Sequence, residues 1–523
     1  MNSFIGKHKK VFIDILILAG LFLFVCLSYF IFKPLYFRSE NGGIGTVDGI
    51  IPRIYIVFLL LAIVTTGVIL GIFKKLNIKT LLFLIFLFGV VMQLNYMLIT
   101  PFNYRQHDVL SDVGHQGYAA TLYQTGKLPT TVDSTGHLAY QFYHPPLNAL
   151  MQALFMRISQ PFMHLYNAIS GKAYYDVTNM NHLFQTSEIL ATFYTNISLY
   201  FGIKLAYRLD ISNKLKAAGA IFLALFPALF ILAGQENNDP ICIMNCFIVL
   251  YFTYRWWEEK TYFNASMIGL FTGLAMMAKL SGALAIIPAL VAFIYTIIKA
   301  HIDHDTVKHY YFQGSIIAAV AAPIGLWFQI YAKVRFNQPF GFVFSNLTDE
   351  LYVGNYNFFQ RFINIFDFQD MSTALWGNTF VNYNLPNFLI KSAIFGEYSF
   401  LCAEHFGVLA LIFNYLFVYT SLVLMIIYLI ESKGENFKIK IIAGSLVLSQ
   451  LLAQLYFNIK MPYGCTMDFR YIEPIILGFM ILDCLAFDRY FKESSPRKVF
   501  SIIVMTLGGL FLTSSVLFYL TAI

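Results

Sequence analysis

The amino-acid sequence predicts an all-α integral membrane protein, a single polytopic domain over residues 1–523. Hydrophobic residues make up 58% of the chain and charged residues only 12%, and the mean hydropathy is +0.65. A typical soluble domain is about 25% charged, so this composition excludes both a soluble globular protein and a disordered one. About thirteen apolar runs approach the roughly 20 residues that a transmembrane helix needs, which predicts a bundle of about thirteen spans.

The predicted spans follow one another with mostly short connections. The first run is too long for a signal peptide and no small-residue cleavage site follows it, so it is retained as a span. The seventh is short and is expected to be tilted or broken. The spans are expected near 11–32, 54–73, 80–100, 183–207, 217–233, 240–257, 264–278, 282–298, 314–332, 403–430, 441–457, 471–487 and 499–521.

The basic residues predict the orientation in the plasma membrane. With the N-terminus in the cytoplasm, alternating spans gather 21 of the 35 Lys and Arg in short cytoplasmic segments, as the positive-inside rule requires. Two large extracytoplasmic loops then cover 101–182 and 333–402, and the C-terminus lies outside. The 21 residues are Lys7, Lys9, Lys10, Lys74, Lys75, Lys79, Lys204, Arg208, Lys214, Lys216, Arg255, Lys260, Lys299, Lys308, Lys433, Lys438, Lys440, Arg489, Lys492, Arg497 and Lys498. The net charge of +7 therefore follows topology and does not indicate a nucleic-acid partner.

Acidic and histidine residues cluster at the start of the first loop. Asp108 and Asp112 lie four residues apart in RQHDVLSDVGHQGYA (105–119), beside His107 and His115. On a helix this spacing places both carboxylates on one face, and a carboxylate at a membrane rim can act as a general base. A divalent metal could bind at Asp108 and His107, although the spacing matches no zinc signature. The alternative is a solvated loop with ordinary helix caps.

The same loop continues through YQFYHPPL (140–147) into a predicted amphipathic helix. The two prolines after His144 restrict the chain to an extended approach. The helix is expected either to lie in the outer membrane interface or to pack on the bundle. Its apolar residues at helical spacing are Leu147, Leu150, Met151, Leu154, Phe155 and Ile158.

Lys279, in MAKLSG, lies between two apolar runs with no loop around it. A lysine at membrane depth costs roughly 2.5–3.5 kcal/mol. Its side chain could reach the outer surface, or it could have a partner anion such as a lipid phosphate. Asn238 and Asp239, in the short connection GQENNDP (234–240), either cap the following helix or form a polar wall of the same outer cavity.

The later outer segments add further charged candidates. Glu397 lies in FGEYSF (395–400), just before a predicted span. Asp468 and Arg470 lie in CTMDFRYIEP (465–474) at the rim of another. An arginine can hold a phosphate through two parallel hydrogen bonds, and the alternative is an internal pair with a rim carboxylate.

Short motifs in these loops resemble the GT-C superfamily of multi-span glycosyltransferases, which includes protein O-mannosyltransferases and bacterial aminoarabinose transferases. RQHDV, GHQGYA, GKLP and QFYHPPL are similar to the first catalytic loop of that superfamily. NNDP, AKLSG, FGEYSF and MDFRY look similar to further elements of a bacterial branch. Two positions differ: His107-Asp108-Val109 stands where Asp-Glu is usual, and His144 replaces a lysine before Pro-Pro.

The resemblance implies a GT-C-like fold and an inverting glycosyltransferase. The donor would be a polyprenyl-phosphate-linked sugar, and the acceptor a hydroxyl of a glycan, lipid or protein on the extracytoplasmic face. It favours Asp108 over Asp112 as the general base and makes Lys279, Arg470 and His144 candidates for holding the leaving phosphate. Further candidate substrate contacts are His107, His115, Tyr118, Tyr143, Asn238, Asp239, Glu397 and Asp468. No P-loop or Rossmann fingerprint indicates a nucleotide.

Two other functions, a transporter and a scaffold, fit the distribution of charged residues less well. A transporter or flippase for lipid-linked glycans would carry ionisable residues deep inside several spans, whereas here they concentrate at one rim. A scaffold of the cell envelope would not need Asp108, Lys279 and Arg470 at one surface. The transferase is therefore the preferred hypothesis and the transporter its alternative.

Overall fold

The computed structural model describes residues 2–38, 47–100, 112–171, 174–343, 351–367, 383–396 and 404–521, and helices dominate these ranges. In the same ranges the only β-pairings are isolated bridges, Val132 with Leu138 and Tyr352 with Tyr463. The all-α prediction is confirmed.

Nineteen α-helices make up the described part of the chain, and each predicted span coincides with a helix or a broken helix. They are α1 (Asn2–Arg38), α2 (Val47–Ile72), α3 (Ile78–Ile99), α4 (His115–Thr125), α5 (Leu147–Ser170), α6 (Met180–Gln185), α7 (Glu188–Arg208), α8 (Asn213–Leu225), α9 (Pro227–Ala233), α10 (Asp239–Glu258), α11 (Tyr262–Ala278), α12 (Ile286–Ile302), α13 (Lys308–Phe336), α14 (Phe358–Phe362), α15 (Leu385–Phe395), α16 (Glu404–Glu431), α17 (Phe437–Lys460), α18 (Ile475–Tyr490) and α19 (Pro496–Thr521).

Among the described residues, eight helical segments are long and apolar enough to cross a membrane, and α8 with α9, bent by 45°, would make a ninth. The chain is therefore a multi-pass membrane protein. The count of about thirteen spans stays a prediction, because the other matching helices fall short on length or hydropathy.

The helices alternate in direction, so the bundle has two ends. Lys33, near the end of α1, contacts Glu188 at the start of α7 and the carbonyl of Thr100 just after α3. At the other end, Arg208 closes α7 and pairs with Glu258, the last residue of α10. The start of α3 therefore lies at the same end as the close of α7 and α10.

The connections at that second end, together with the helix ends beside them, carry 18 of the 35 basic residues. They join α2 to α3, α7 to α8, α10 to α11, α12 to α13, α16 to α17 and α18 to α19. Ion pairs such as Arg489 with Glu435 and Arg497 with Glu431 tie neighbouring connections together. We call this the basic end and the other, which carries Asp239, the Asp239 end. Which end faces the cytoplasm stays a prediction.

The helix α5 has the predicted amphipathic character. Its buried residues are mostly small or polar, and Leu150, Leu154 and Ile158 of the predicted stripe are exposed. Phe155, which was also predicted on that stripe, is buried instead. An outward apolar stripe is what a helix in the membrane interface presents. The buried polar residues are Asn148, Gln152 and Ser159, and the exposed apolar ones are Leu150, Leu154, Ile158, Phe162, Leu165 and Ile169.

Candidate active site

Two basic side chains from distant parts of the chain converge on one carboxylate. Lys279 Nζ lies 2.5 Å from Asp239 Oδ1, and Arg470 Nε lies 3.7 Å from Asp239 Oδ2. Asp239 is 3% exposed and Arg470 8% exposed. We call this group, with its neighbours Asp468, Tyr471 and Glu473, the Asp239 centre.

Local backbone structure explains how Asp239 and Lys279 meet. Asp239 opens α10, and its N–H donates to Asn237 Oδ1 at 2.9 Å. Asn238 Nδ2 donates to the carbonyl of Ala278 at 3.1 Å, which fastens this turn to the end of α11. Lys279 itself is extended, with φ −154° and ψ 129°, between α11 and a 3-10 turn. That break in the helix allows its side chain to lie against the start of α10.

The segment that carries Arg470 is held by buried polar side chains. Gln454 and Asn458, on α17, both donate to the carbonyl of Thr466, at 2.9 and 3.2 Å. The backbone N–H of Arg470 then donates to Asp468 Oδ1 at 2.8 Å, closing a tight turn. Because this turn is fixed from the bundle, the guanidinium has few alternative positions.

Tyr471 adds an aromatic face to the centre, which the sequence analysis did not anticipate. Lys279 Nζ lies 4.4 Å from its ring centroid and Arg470 Cζ lies 5.4 Å from it. Such cation–π contacts contribute about 0.5–1 kcal/mol when exposed and more when desolvated. The only local signal in the sequence was the position of Tyr471 directly after Arg470.

The centre contains more acidic than basic residues. Asp239, Asp468 and Glu473 are all at least 95% buried. Burial raises the pKa of Asp468, although Arg470 opposes the shift, and burial together with Asp239 and Asp468 raises the pKa of Glu473 well above its usual range. Glu473 Oε1 has no hydrogen-bond partner among the described residues. A protonated Glu473 would leave the two cations balanced by two carboxylates.

The amphipathic helix α5 supports the turn that presents Asp239. Asn148 Nδ2 donates to the carbonyl of Asn237 at 2.8 Å, and Gln152 Nε2 donates to the carbonyl of Glu236 at 2.6 Å. The buried polar stripe of α5 therefore links the first loop to the Asp239 centre.

Just before α5, four of the predicted first-loop residues form a cluster. The His115 and His144 rings stack with centroids 5.8 Å apart at 20°. The Tyr143 and His144 ring centroids are 4.1 Å apart, and Tyr118 Oη donates to the carbonyl of His144 at 3.3 Å. Asp112 is exposed, and its backbone touches Gly117 so closely that a Cβ at that position would clash.

The sequence also matches a family model. Residues 175–327 fit the family described as dolichyl-phosphate-mannose-protein mannosyltransferase. The resemblance to GT-C glycosyltransferases is thereby confirmed. The matched segment contains Asp239 and Lys279 but ends before Arg470.

Structural comparison finds solved structures with low similarity to this chain. The crystal structure of ArnT from Cupriavidus metallidurans bound to undecaprenyl phosphate aligns with a TM-score of 0.43 and 13% identity, over 83% of this chain and 75% of that one. This similarity is too low to transfer a ligand or a residue role to this GT-C-like chain. No curated protein sequence matches the chain.

Three predicted site residues, His107, Asp108 and Glu397, lie outside the described residues, so their roles stay predictions. The possible metal at Asp108 and His107 falls there too. Within the described ranges, no group of three or more His, Cys, Asp or Glu side chains is arranged to hold a metal ion.

A second buried polar cluster at the Asp239 end was missed from the sequence. Lys33 Nζ pairs with Glu188 Oε2 at 2.8 Å, and Ser187 Oγ donates to Glu236 Oε1 at 3.0 Å. Lys33, Glu188 and Glu236 are each 1% exposed. The available signal was that Lys33 directly follows one apolar run and Glu188 lies near the start of another.

Proposed function

We propose that this chain is an inverting glycosyltransferase. It moves a sugar from a polyprenyl-phosphate-linked donor to an acceptor hydroxyl on the extracytoplasmic face. The observation that carries the proposal is the convergence of Lys279 and Arg470 on Asp239 at one end of an apolar bundle. Donors that hold a carboxylate also suit a phosphate, and a polyprenyl tail can remain in the membrane while its phosphate reaches the rim.

In the proposed reaction, Asp108 removes the proton from the acceptor hydroxyl as its oxygen attacks the anomeric carbon. The bond from that carbon to the phosphate oxygen breaks on the opposite face, so the configuration inverts. Lys279 and Arg470 stabilise the charge that develops on the leaving polyprenyl phosphate, and no proton donor is then required. Asp112 is the alternative base.

The remaining predicted residues are proposed to contact substrate between the general base and the two cations that hold the phosphate. The cluster of His115, Tyr118, Tyr143 and His144 offers two flat imidazole rings and two phenols near the start of α5. Aromatic faces and polar edges of this kind suit a sugar. We propose that His107, Glu397, Asn238 and Asp468 also contact substrate, and that the acceptor is a glycan, a lipid or a protein.

Binding of the leaving group tests the proposal. Undecaprenyl phosphate is titrated against the purified full chain, and bound lipid is counted by native mass spectrometry. Lys279→Ala and Arg470→Ala should each weaken binding at least tenfold, because a charge-assisted hydrogen bond contributes about 1.5–3 kcal/mol. Lys216→Ala, at the basic end, is the matched control and should bind normally. Equal binding by all four proteins would remove the clamp from the mechanism.

A further inference from the structure

A second site lies at the basic end, remote from the Asp239 centre. A cavity of about 830 Å³ is lined by the end of α10, the end of α12, the first turn of α13 and the start of α17. Since α10 runs from Asp239 to Glu258, its rise of 1.5 Å per residue separates the two sites by about 30 Å. The proposed transfer reaction uses nothing in this cavity.

Three lysines from separate chain segments line this cavity: Lys260, Lys299 and Lys438. Within the described residues none of them forms an ion pair, and Glu258 is already paired with Arg208 at 2.5 Å. Burial, with the charges of Lys438 and Lys299, lowers the pKa of Lys260. The three ammonium groups therefore share one cavity, and although Asp303 and Asp305 also line it, neither lies within ion-pairing distance of a lysine there. An anion between the lysines would relieve their mutual repulsion.

The rest of the lining is suited to an amphiphile. Trp257, Tyr295 and Phe437 form a continuous aromatic run, with ring centroids 5.7 and 4.8 Å apart. Asp303 and Asp305 also line the cavity and can accept hydrogen bonds from hydroxyl groups. Helix α12 ends at this cavity and α17 begins there, and both are apolar enough to span a membrane. The cavity therefore lies where an apolar zone meets water.

We propose that this cavity binds a phosphate group, with Lys260, Lys299 and Lys438 as its ligands. The aromatic run and the two aspartates favour the headgroup of an anionic phospholipid with hydroxyl groups, such as phosphatidylglycerol. A soluble phosphate is the other source of the same chemistry. The site is independent of the proposed glycosyl transfer.

The test compares two probes on the purified full chain. Native mass spectrometry counts phosphatidylglycerol retained against phosphatidylcholine, and isothermal titration measures inorganic phosphate. Each lysine near an anionic lipid contributes about fivefold in affinity, so K260Q/K299Q/K438Q should lower phosphatidylglycerol binding on the order of 100-fold. The control K74Q/K75Q/K79Q, with three lysines at the same end, should bind as the unchanged protein does.

Each outcome decides the proposal. Loss of phosphatidylglycerol in the cavity variant alone supports a lipid headgroup, and loss of inorganic phosphate binding in that variant alone supports a soluble source. Equal loss in both variants would mean general surface attraction, and no loss would mean no site; either overturns the proposal. Thermal unfolding of the purified variants reports that they are folded, and K299Q/K438Q repeats the test if the triple variant is not.

Discussion

Asp239 is the residue on which the candidate site depends, because it balances two cations that are otherwise buried. A buried charge that loses its partner costs several kcal/mol. Lys279 and Arg470 therefore need an anion at all times, and Asp239 supplies it when no substrate is bound. A lipid phosphate arriving at the rim would take over part of this role, which makes the site responsive to its ligand.

Replacing Asp239 tests that dependence. Asp239→Asn should destabilise the protein by about 3–5 kcal/mol, because Lys279 and Arg470 lose the carboxylate that they share, and undecaprenyl phosphate should restore much of the loss. Thermal unfolding with and without the lipid measures both effects. Asp14→Asn, which removes the partly exposed pair with Lys204, should cost less than about 1 kcal/mol and gain nothing specific from lipid. Failure of the lipid to rescue Asp239→Asn would argue against a phosphate between the two cations.

The choice of base is a second question at this scale. Asp108→Asn should slow transfer by about 10²–10⁴ while leaving binding of undecaprenyl phosphate intact, since general base catalysis contributes that much. Asp112→Asn should be milder. Rates measured with polyprenyl-phosphate sugars would decide. If Asp112→Asn is inactive and Asp108→Asn is active, Asp112 is the general base. Near-normal rates in both variants would exclude the first loop as the source of the base.

Among the helices, α5 has an exposed apolar face and a buried polar face. Its outward stripe is apolar, and its inward stripe holds the turn at 234–238 through Asn148 and Gln152. Sequence periodicity predicted the helix, and three residues of its predicted stripe are exposed, whereas Phe155 is buried. It could not predict that the polar residues off this stripe would donate to backbone carbonyls 84 and 89 residues away, because such contacts depend on tertiary packing.

Loss of this support should misplace Asp239. Asn148→Ala/Gln152→Ala leaves two buried carbonyls without donors, at about 1–3 kcal/mol each, and should lower the transfer rate with a smaller effect on lipid binding. The matched control is Leu154→Ala, on the exposed face of the same helix, which should leave both unchanged. The thermal midpoint, transfer rate and lipid affinity of each variant are the measurements. Normal transfer by the double variant would mean that the turn needs no help from α5.

The turn before α18 makes stability depend on pH. The pKa of Glu473 is raised above 4.5 in the folded protein, so above that pH the folded state holds a proton that the unfolded state has lost. Stability then falls as pH rises, by up to about 1.4 kcal/mol per unit, until Glu473 ionises. Glu473→Gln should flatten this fall in thermal midpoints measured upward from pH 4.5, whereas Glu259→Gln, at an exposed position, should not. Parallel curves for Glu473→Gln and the unchanged protein would contradict a protonated Glu473.

At the scale of the whole molecule, apolar runs predicted the long apolar helices, because membrane helices must satisfy their own backbone hydrogen bonds. They did not predict the shorter helices α4, α14 and α15. Which rim residues meet was harder to predict. Asp239 and Lys279 meet through the break after α11, and Arg470 reaches them from a segment fixed by α17. Little in the local sequence marked Tyr471, Glu473 or Lys33 as part of a buried polar cluster. Their contacts join segments that are distant in sequence.

The two ends of the bundle give a prediction about orientation. The basic end should face the cytoplasm, because short loops rich in Lys and Arg remain there. Single cysteines introduced at exposed Thr135, in the first loop, and at exposed Lys75 should label from opposite sides of the membrane. Labelling of Thr135→Cys from the cytoplasm would place the Asp239 centre on the wrong side for an extracytoplasmic reaction.

The most direct measurement is a cryo-electron microscopy structure of the full chain with undecaprenyl phosphate. The phosphate should lie within about 3.2 Å of Lys279 Nζ and of an Arg470 guanidinium nitrogen, in place of one of their contacts with Asp239. The polyprenyl tail should run between helices toward the apolar zone. A phosphate bound elsewhere, with Lys279 and Arg470 still paired to Asp239 as in the free protein, would contradict the proposed donor site.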